Sequence, residues 1–102
     1  MVRITKSIAE TRLGEVPQGE QFWCEDGRVL NNLPELSVAL HQMHAETYRH
    51  HAGGNRNDFS NWVRDVIGDD KLSRDLLKST SQAQSAKSVG DRIAWLKSKL
   101  EV

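Results

Sequence analysis

The chain is poor in several things at once. Among its 102 residues there is one cysteine, two prolines and no surplus of either charge, with 14 acids against 14 bases. Each shortage excludes something. A lone Cys24 cannot close an internal disulfide, so the expected compartment is the reducing cytosol and the expected location cytoplasmic. No apolar run reaches 18 residues, so no segment reads as a membrane-spanning helix. No charged-then-apolar leader opens the sequence, and a signal peptide is therefore not expected. A formal net charge of zero argues against bulk electrostatic capture of nucleic acid, which draws on a basic excess. Hydrophobic residues make up 37% and mean hydropathy is −0.61. That suffices for one modest core and hence one small domain.

What is present reads mainly as helix. Residues 1–20 lack a convincing period and are punctuated by Gly14, Pro17 and Gly19. They are expected to form a flexible N-terminal arm, with a short extended piece at Val2 to Thr5. In "QFWCEDGRVLNN", Asp26-Gly27 lies between two apolar runs and predicts a β-hairpin over about 21–31. Phe22 and Cys24 would share one face, Trp23 and Glu25 the other. Two strands alone are marginal, so helices must cover the hairpin.

Asn32 with Glu35 three residues on is a capping box, and Pro34 sits in the first turn, where a missing N–H is harmless. Leu33, Leu36, Leu40 and Met43 then make one apolar stripe. A second helix is expected over about 45–52, stopped by Gly53-Gly54. In "NDFSNWVRDVIGDD", Asn57 or Asp58 caps a third. Its Phe59, Trp62, Val63, Val66 and Ile67 fall on one face and Gly68 ends it. Asp69 or Asp70 caps a fourth, with Leu72 and Leu76 inward. Ser79, Thr80 or Ser81 caps the last, about 82–100, with Ala86, Val89, Ile93, Leu96 and Leu100 inward. The expected fold is mostly α: a hairpin packed on about five short helices, in one domain over 21–102.

The quoted residues resemble a small, mostly helical prokaryotic domain family of uncharacterised function. Its pattern is an aromatic before an Asp-Gly hairpin, a Leu-rich helix ending in Met, an aromatic-x-x-His element, and then Asn-Asp-Phe-x-x-Trp-Val-x-x-Val-Ile-Gly-Asp. Here these are Phe22, Asp26-Gly27, Leu36 to Met43, Tyr48 to His51 and "NDFSNWVRDVIGD", over roughly residues 20–78. His44 departs from it, standing where the pattern favours a Ser or Asp cap. The resemblance brings no activity, cofactor or catalytic residue, and implies an accessory or adaptor module.

Residues able to carry chemistry are few. His41, His44, His50 and His51 fall within eleven residues, but a helix break separates the first pair from the second, and no H-E-x-x-H or C-x-x-C accompanies them. Neither a metal nor any other cofactor is expected. His51 is read as structural, bridging the Gly53-Gly54 loop to the next helix cap through both ring nitrogens. Cys24 has acidic neighbours that oppose thiolate formation. Asp65, Asp69, Asp70 and Asp75 alternate with Arg64, Lys71 and Arg74, as on solvated faces. No enzyme is expected. Asn57, Asp58, Phe59 and Trp62 are assigned to structure.

One surface stands out. Ser88, Arg92, Trp95 and Lys99 form a stripe on the last helix, and Trp95 projects about 140° from the centre of its apolar face. An off-core Trp between cations has the composition of an interface hot spot. The alternative is intramolecular cover by the N-terminal arm or the hairpin. The functional expectation is a non-enzymatic interaction module, binding a protein partner or itself through Ser88, Arg92, Trp95 and Lys99. The second reading is single-stranded nucleic acid held by Arg92, Trp95 and Lys99. A distant third is metal binding by the His41–His51 cluster.

Overall fold

The computed structural model describes residues 3–101. It is mostly helical: α1 (Lys6–Leu13), β1 (Phe22–Trp23), β2 (Val29–Leu30), α2 (Leu33–Gln42), α3 (Ala45–Ala52), α4 (Asp58–Trp62), α5 (Asp70–Lys78) and α6 (Gln82–Leu100). A π-helical turn, Val63–Ile67, continues α4. The hairpin and the five helices that follow it are those the sequence patterning predicts.

The helices start where their capping side chains stand. Asn32, Asn57, Asp69 and Ser81 each accept a hydrogen bond from the backbone N–H three residues on. Glu35 completes the cap of α2 one residue further out than a standard box, accepting from the Asn31 N–H at 2.7 Å. α3 begins at Ala45 although its cap residue, His44, makes no side-chain bond. The end of α2 is closed from elsewhere: Gln82 Nε2 donates to the carbonyls of Leu40 and Met43, both at 2.9 Å.

The hairpin pairs Phe22 with Leu30 and Trp23 with Val29. Its turn is closed by Gly27 N–H to Cys24 O, and Cys24 N–H then bonds Arg28 O. Gly27 therefore sits at the bulge after the turn with φ +97°, a left-handed conformation that suits glycine. Phe22 and Cys24 are buried and Trp23 is exposed.

One expectation is corrected at the N-terminus. The arm expected over 1–20 contains α1, capped by Thr5 Oγ1, which accepts from the Ile8 N–H at 3.2 Å. Ala9 is wholly buried and α1 packs on α6, so the core reaches N-terminal to the boundary expected at residue 21. The reason is steric: Ala9 is small enough to let two helices approach closely, and so adds little to any apolar period. Of the extended piece expected at Val2 to Thr5, Thr5 is extended and Arg3 and Ile4 form no regular element; Val2 lies outside the described residues.

The core gathers Leu33, Leu36 and Leu40 of α2, Phe59, Trp62 and Val63, Leu72 and Leu76 of α5, and Val89 and Leu96 of α6. Phe22 seats the hairpin on it by stacking on Phe59 with ring centroids 5.1 Å apart. α6 runs through the middle, with α2 and α1 as its main neighbours. Buried polar groups cross-link the helices: Ser60 with Ser73 at 2.7 Å, and the Tyr48 hydroxyl with Ser85 at 2.7 Å. Among the described residues no buried side-chain nitrogen or oxygen lacks a partner.

Candidate functional site

Asp69 organises the region that matters most. The π turn ends at Gly68, in the left-handed region at φ +84°, whose N–H bonds Val63 O across five residues. Asp69 N–H bonds the same carbonyl at 3.1 Å, which delivers Asp69 into the interior as the cap of α5. Its carboxylate is inaccessible to solvent and meets Arg92 in a bidentate pair, Nε to Oδ2 at 2.7 Å and Nη2 to Oδ1 at 3.1 Å. Arg12 of α1 approaches Oδ1 at 3.7 Å. One carboxylate thus joins α1, α5 and α6.

This corrects two sequence readings. Asp69 was expected on a solvated face and is buried. Arg92 was expected on the exposed stripe and is only 8% exposed. It lies beside Val89, Ile93 and Leu96 at the edge of the apolar face, and the paired carboxylate makes burial tolerable. The other stripe residues sit nearer the surface. Trp95 is 38% exposed, and Ser88 and Lys99 are half-buried. The Arg92 guanidinium carbon lies 4.4 Å from the Trp95 ring centroid and Lys99 Nζ lies 4.7 Å from it.

Ser88, Arg92, Trp95 and Lys99 line one wall of an open cleft of about 1300 Å³. The segment Arg3–Lys6, with Arg12, forms a second wall. Lys71, Arg74, Asp70 and Asp75 of α5 form the third. The lining holds seven bases and three acids, a local surplus of four in a chain with none overall. All three acids are ion-paired: Asp70 with Arg74, Asp75 with Lys71, and Asp91 with Lys87. Arg12 and Arg92 share Asp69, while Arg3, Lys6 and Lys99 have no carboxylate partner among the described residues. The charge at this cleft is positive and unbalanced. Sequence order hid that, because the cations come from three separate elements.

Of the remaining candidates, His51 and Cys24 are taken up by the fold. His51 is buried, accepts the Glu25 N–H at Nε2 (2.9 Å), and contacts Asp58 Oδ2 through Nδ1 at 2.9 Å. With Nε2 accepting, the ring proton is on Nδ1 and is donated to Asp58. The histidine therefore bridges the hairpin turn to the start of α4, one residue beyond the cap itself, and has no nitrogen free for substrate. His41 Nδ1 bonds Ser37 O, and His44 and His50 are exposed. No group of three or more His, Cys, Asp or Glu able to hold a metal ion occurs among the described residues.

Cys24 is buried, and burial pushes its thiol pKa up, with the neighbouring Asp26 carboxylate adding to the effect. Partial burial works against the Asp26 carboxylate. Even so, hydrogen bonds from Arg28 and the Cys24 thiol hold its pKa below the usual range. Cys24 is expected to react slowly with an aromatic disulfide reagent at neutral pH in the native protein, and at once in denaturant. Fast native labelling would place the thiol at the surface.

Two features escaped sequence reasoning. Trp23, 69% exposed, is the most exposed large apolar side chain described, and it pairs across the hairpin with exposed Val29. Strand alternation had placed it outward, but nothing in the sequence distinguished a bare outer face from one covered by a helix. Arg12, the third member of the Asp69 cluster, lies in the segment read as an arm.

No known protein family, curated protein or solved structure matches this chain. No described helix is long and apolar enough to cross a membrane.

Proposed function

We propose that the chain is a non-enzymatic interaction module that binds a protein partner, or a second copy of itself, in the cleft between α1, α5 and α6, with Trp95 as the anchor. The observation that carries this is the half-open Trp95 ring on the wall of a cleft whose surplus cations lack carboxylate partners. Trp and Arg are the side chains enriched at interface hot spots, and here they lie against each other. At about 1300 Å³ and open to solvent, the cleft is larger and less enclosed than a small-molecule pocket. A binding rather than catalytic role is further supported by His51 and Cys24, the groups best suited to proton transfer or nucleophilic attack, being tied into the fold. A cytosolic location is part of the same reading, supported by a single buried cysteine that has no second cysteine in the chain to pair with.

A second reading, single-stranded nucleic acid, is favoured by the cationic lining alone. Base stacking on Trp95 would compete with Arg92 and Lys99, already held over its ring.

The test is Trp95→Ala. The side chain is not among the buried core residues, so the melting temperature should stay close to that of the parent. Self-association by sedimentation, or capture of a nuclease-resistant protein from the native cell extract, should weaken about fivefold or more, a loss of about 1 kcal/mol that only a minority of interface residues reach. Unchanged association in a folded variant would remove the anchor. Capture that disappears on nuclease treatment would favour the second reading.

A further inference from the structure

We infer that the occupant of the cleft is an acidic segment of a partner protein, a short stretch in which carboxylates alternate with apolar side chains. The inference rests on the interaction reading above and supplies its chemistry.

The charges fall at separated points. Lys6 and Arg3 stand on the α1 side and Lys99 on the α6 side, while Lys71 and Arg74 on the α5 side are partnered by Asp75 and Asp70. Between them the lining offers apolar contact at Ile4 and Trp95. Ser88 and Lys99 are eleven residues apart on α6, about 16 Å of helix rise. That length suits about five residues of extended peptide, or about three turns of helix. It also requires the occupant's carboxylates to be spaced, so that they reach the unpartnered cations and avoid the acids.

That last condition separates a peptide from a nucleic acid. A polynucleotide carries a charge on every residue and cannot skip Asp70, Asp75 and Asp91, which all lie in the lining. The chain as a whole has no basic surplus to offset the repulsion. A peptide can place a leucine or an alanine opposite each acid. It can also meet Trp95 with an apolar side chain at the ring edge, leaving Arg92 and Lys99 over the ring.

The experiment titrates the full chain with three probes by calorimetry at 50 mM and 300 mM NaCl. They are a twelve-residue peptide of alternating Glu and Leu, its Gln-for-Glu counterpart, and a mixed-sequence single-stranded twelve-nucleotide DNA. The Glu peptide should bind at least about tenfold more tightly than either control and weaken at the higher salt. The double variant Lys6→Glu/Lys99→Gln should lose about tenfold of that affinity. A first-turn Glu suits a helix N-terminus, so α1 should persist. If that variant unfolds, Lys6→Ala and Lys99→Ala, made singly, carry the same expectation of reduced affinity. Equal affinity for the Glu and Gln peptides, tighter binding of the oligonucleotide, or no peptide binding at all would each overturn the inference. So would full affinity in folded lysine variants. Should the peptides fail while Trp95-dependent association persists, the site stands and only its acidic occupant falls. Should both fail, the interaction reading falls too.

Discussion

Asp69→Ala is expected to destabilise the protein by about 3–5 kcal/mol, measured by chemical denaturation, because it strands a buried guanidinium. Arg92 is 8% exposed and Asp69 is its only carboxylate partner among the described residues. The variant also removes the α5 cap, in which Asp69 Oδ1 accepts the Leu72 N–H, and caps of this kind contribute about 1 kcal/mol. Two further variants separate these effects. Asp69→Asn keeps a capping oxygen and loses the charge, so it should fall between parent and alanine variant. Asp69→Ala/Arg92→Met removes both charges and fills the space with an apolar chain. It should recover much of the loss, since what costs most is one buried charge without the other. A single alanine variant that melts with the parent would mean that Arg92 reaches water easily and that the pair is incidental. The consequence for binding follows from charge. Arg92 and Arg12 both line the cleft and share Asp69, so neutralising that carboxylate leaves two more cations unpartnered, and the folded fraction of Asp69→Asn should bind the acidic peptide at least as tightly as the parent.

Asp69 and Arg92 also mark where the sequence stopped being legible. From α2 onward, helix starts and stops were readable because they are local. A cap lies three residues from the N–H it satisfies, and a glycine stop needs only its own φ. Apolar faces were readable because one side chain every three or four residues repeats along a single element. Thus Phe59, Trp62, Val63 and Ile67 are buried as their spacing implies, although the backbone passes into a π turn after Trp62. The π turn leaves Val66 only partly buried and swings Asp69 inward. A charge that is buried because a partner 23 residues away neutralises it leaves no periodic trace. Read singly, Asp69 and Arg92 each look like surface.

The cleft was half legible for the same reason. Trp95 and Lys99 could be placed on one stripe because they share a helix. Their juxtaposition with Arg3, Lys6 and Lys71 depends on how three elements pack. α1 itself was missed because only Ala9 is fully buried in it, and alanine contributes weakly to any apolar pattern.

Trp62→Ala carries the other large expected effect, about 3–5 kcal/mol. The side chain is 7% exposed and meets Phe22 edge-on, with ring centroids 5.8 Å apart. Removing it leaves a void between the hairpin and α4 that neither wall can easily fill. Phe22 is already held against Phe59 and His51, and the backbone at residue 62 leads into the π turn. The indole has a second task. Its Nε1 donates to the Glu20 carbonyl at 2.8 Å and ties down the connection between α1 and the hairpin. Trp62→Phe separates the two. It keeps most of the apolar volume and forfeits the hydrogen bond, whose acceptor lies on an exposed residue that water can satisfy, so it should cost about 1 kcal/mol beyond its smaller void. For a domain of this size each kcal/mol shifts the melting temperature by roughly 4–8 °C. The alanine variant should therefore melt tens of degrees lower, with near-complete loss of fold if the parent lies at the low end of ordinary stability, about 5 kcal/mol. A native melting temperature in Trp62→Ala would refute the assignment of "NDFSNWV" to the core and open that stretch to a functional reading instead.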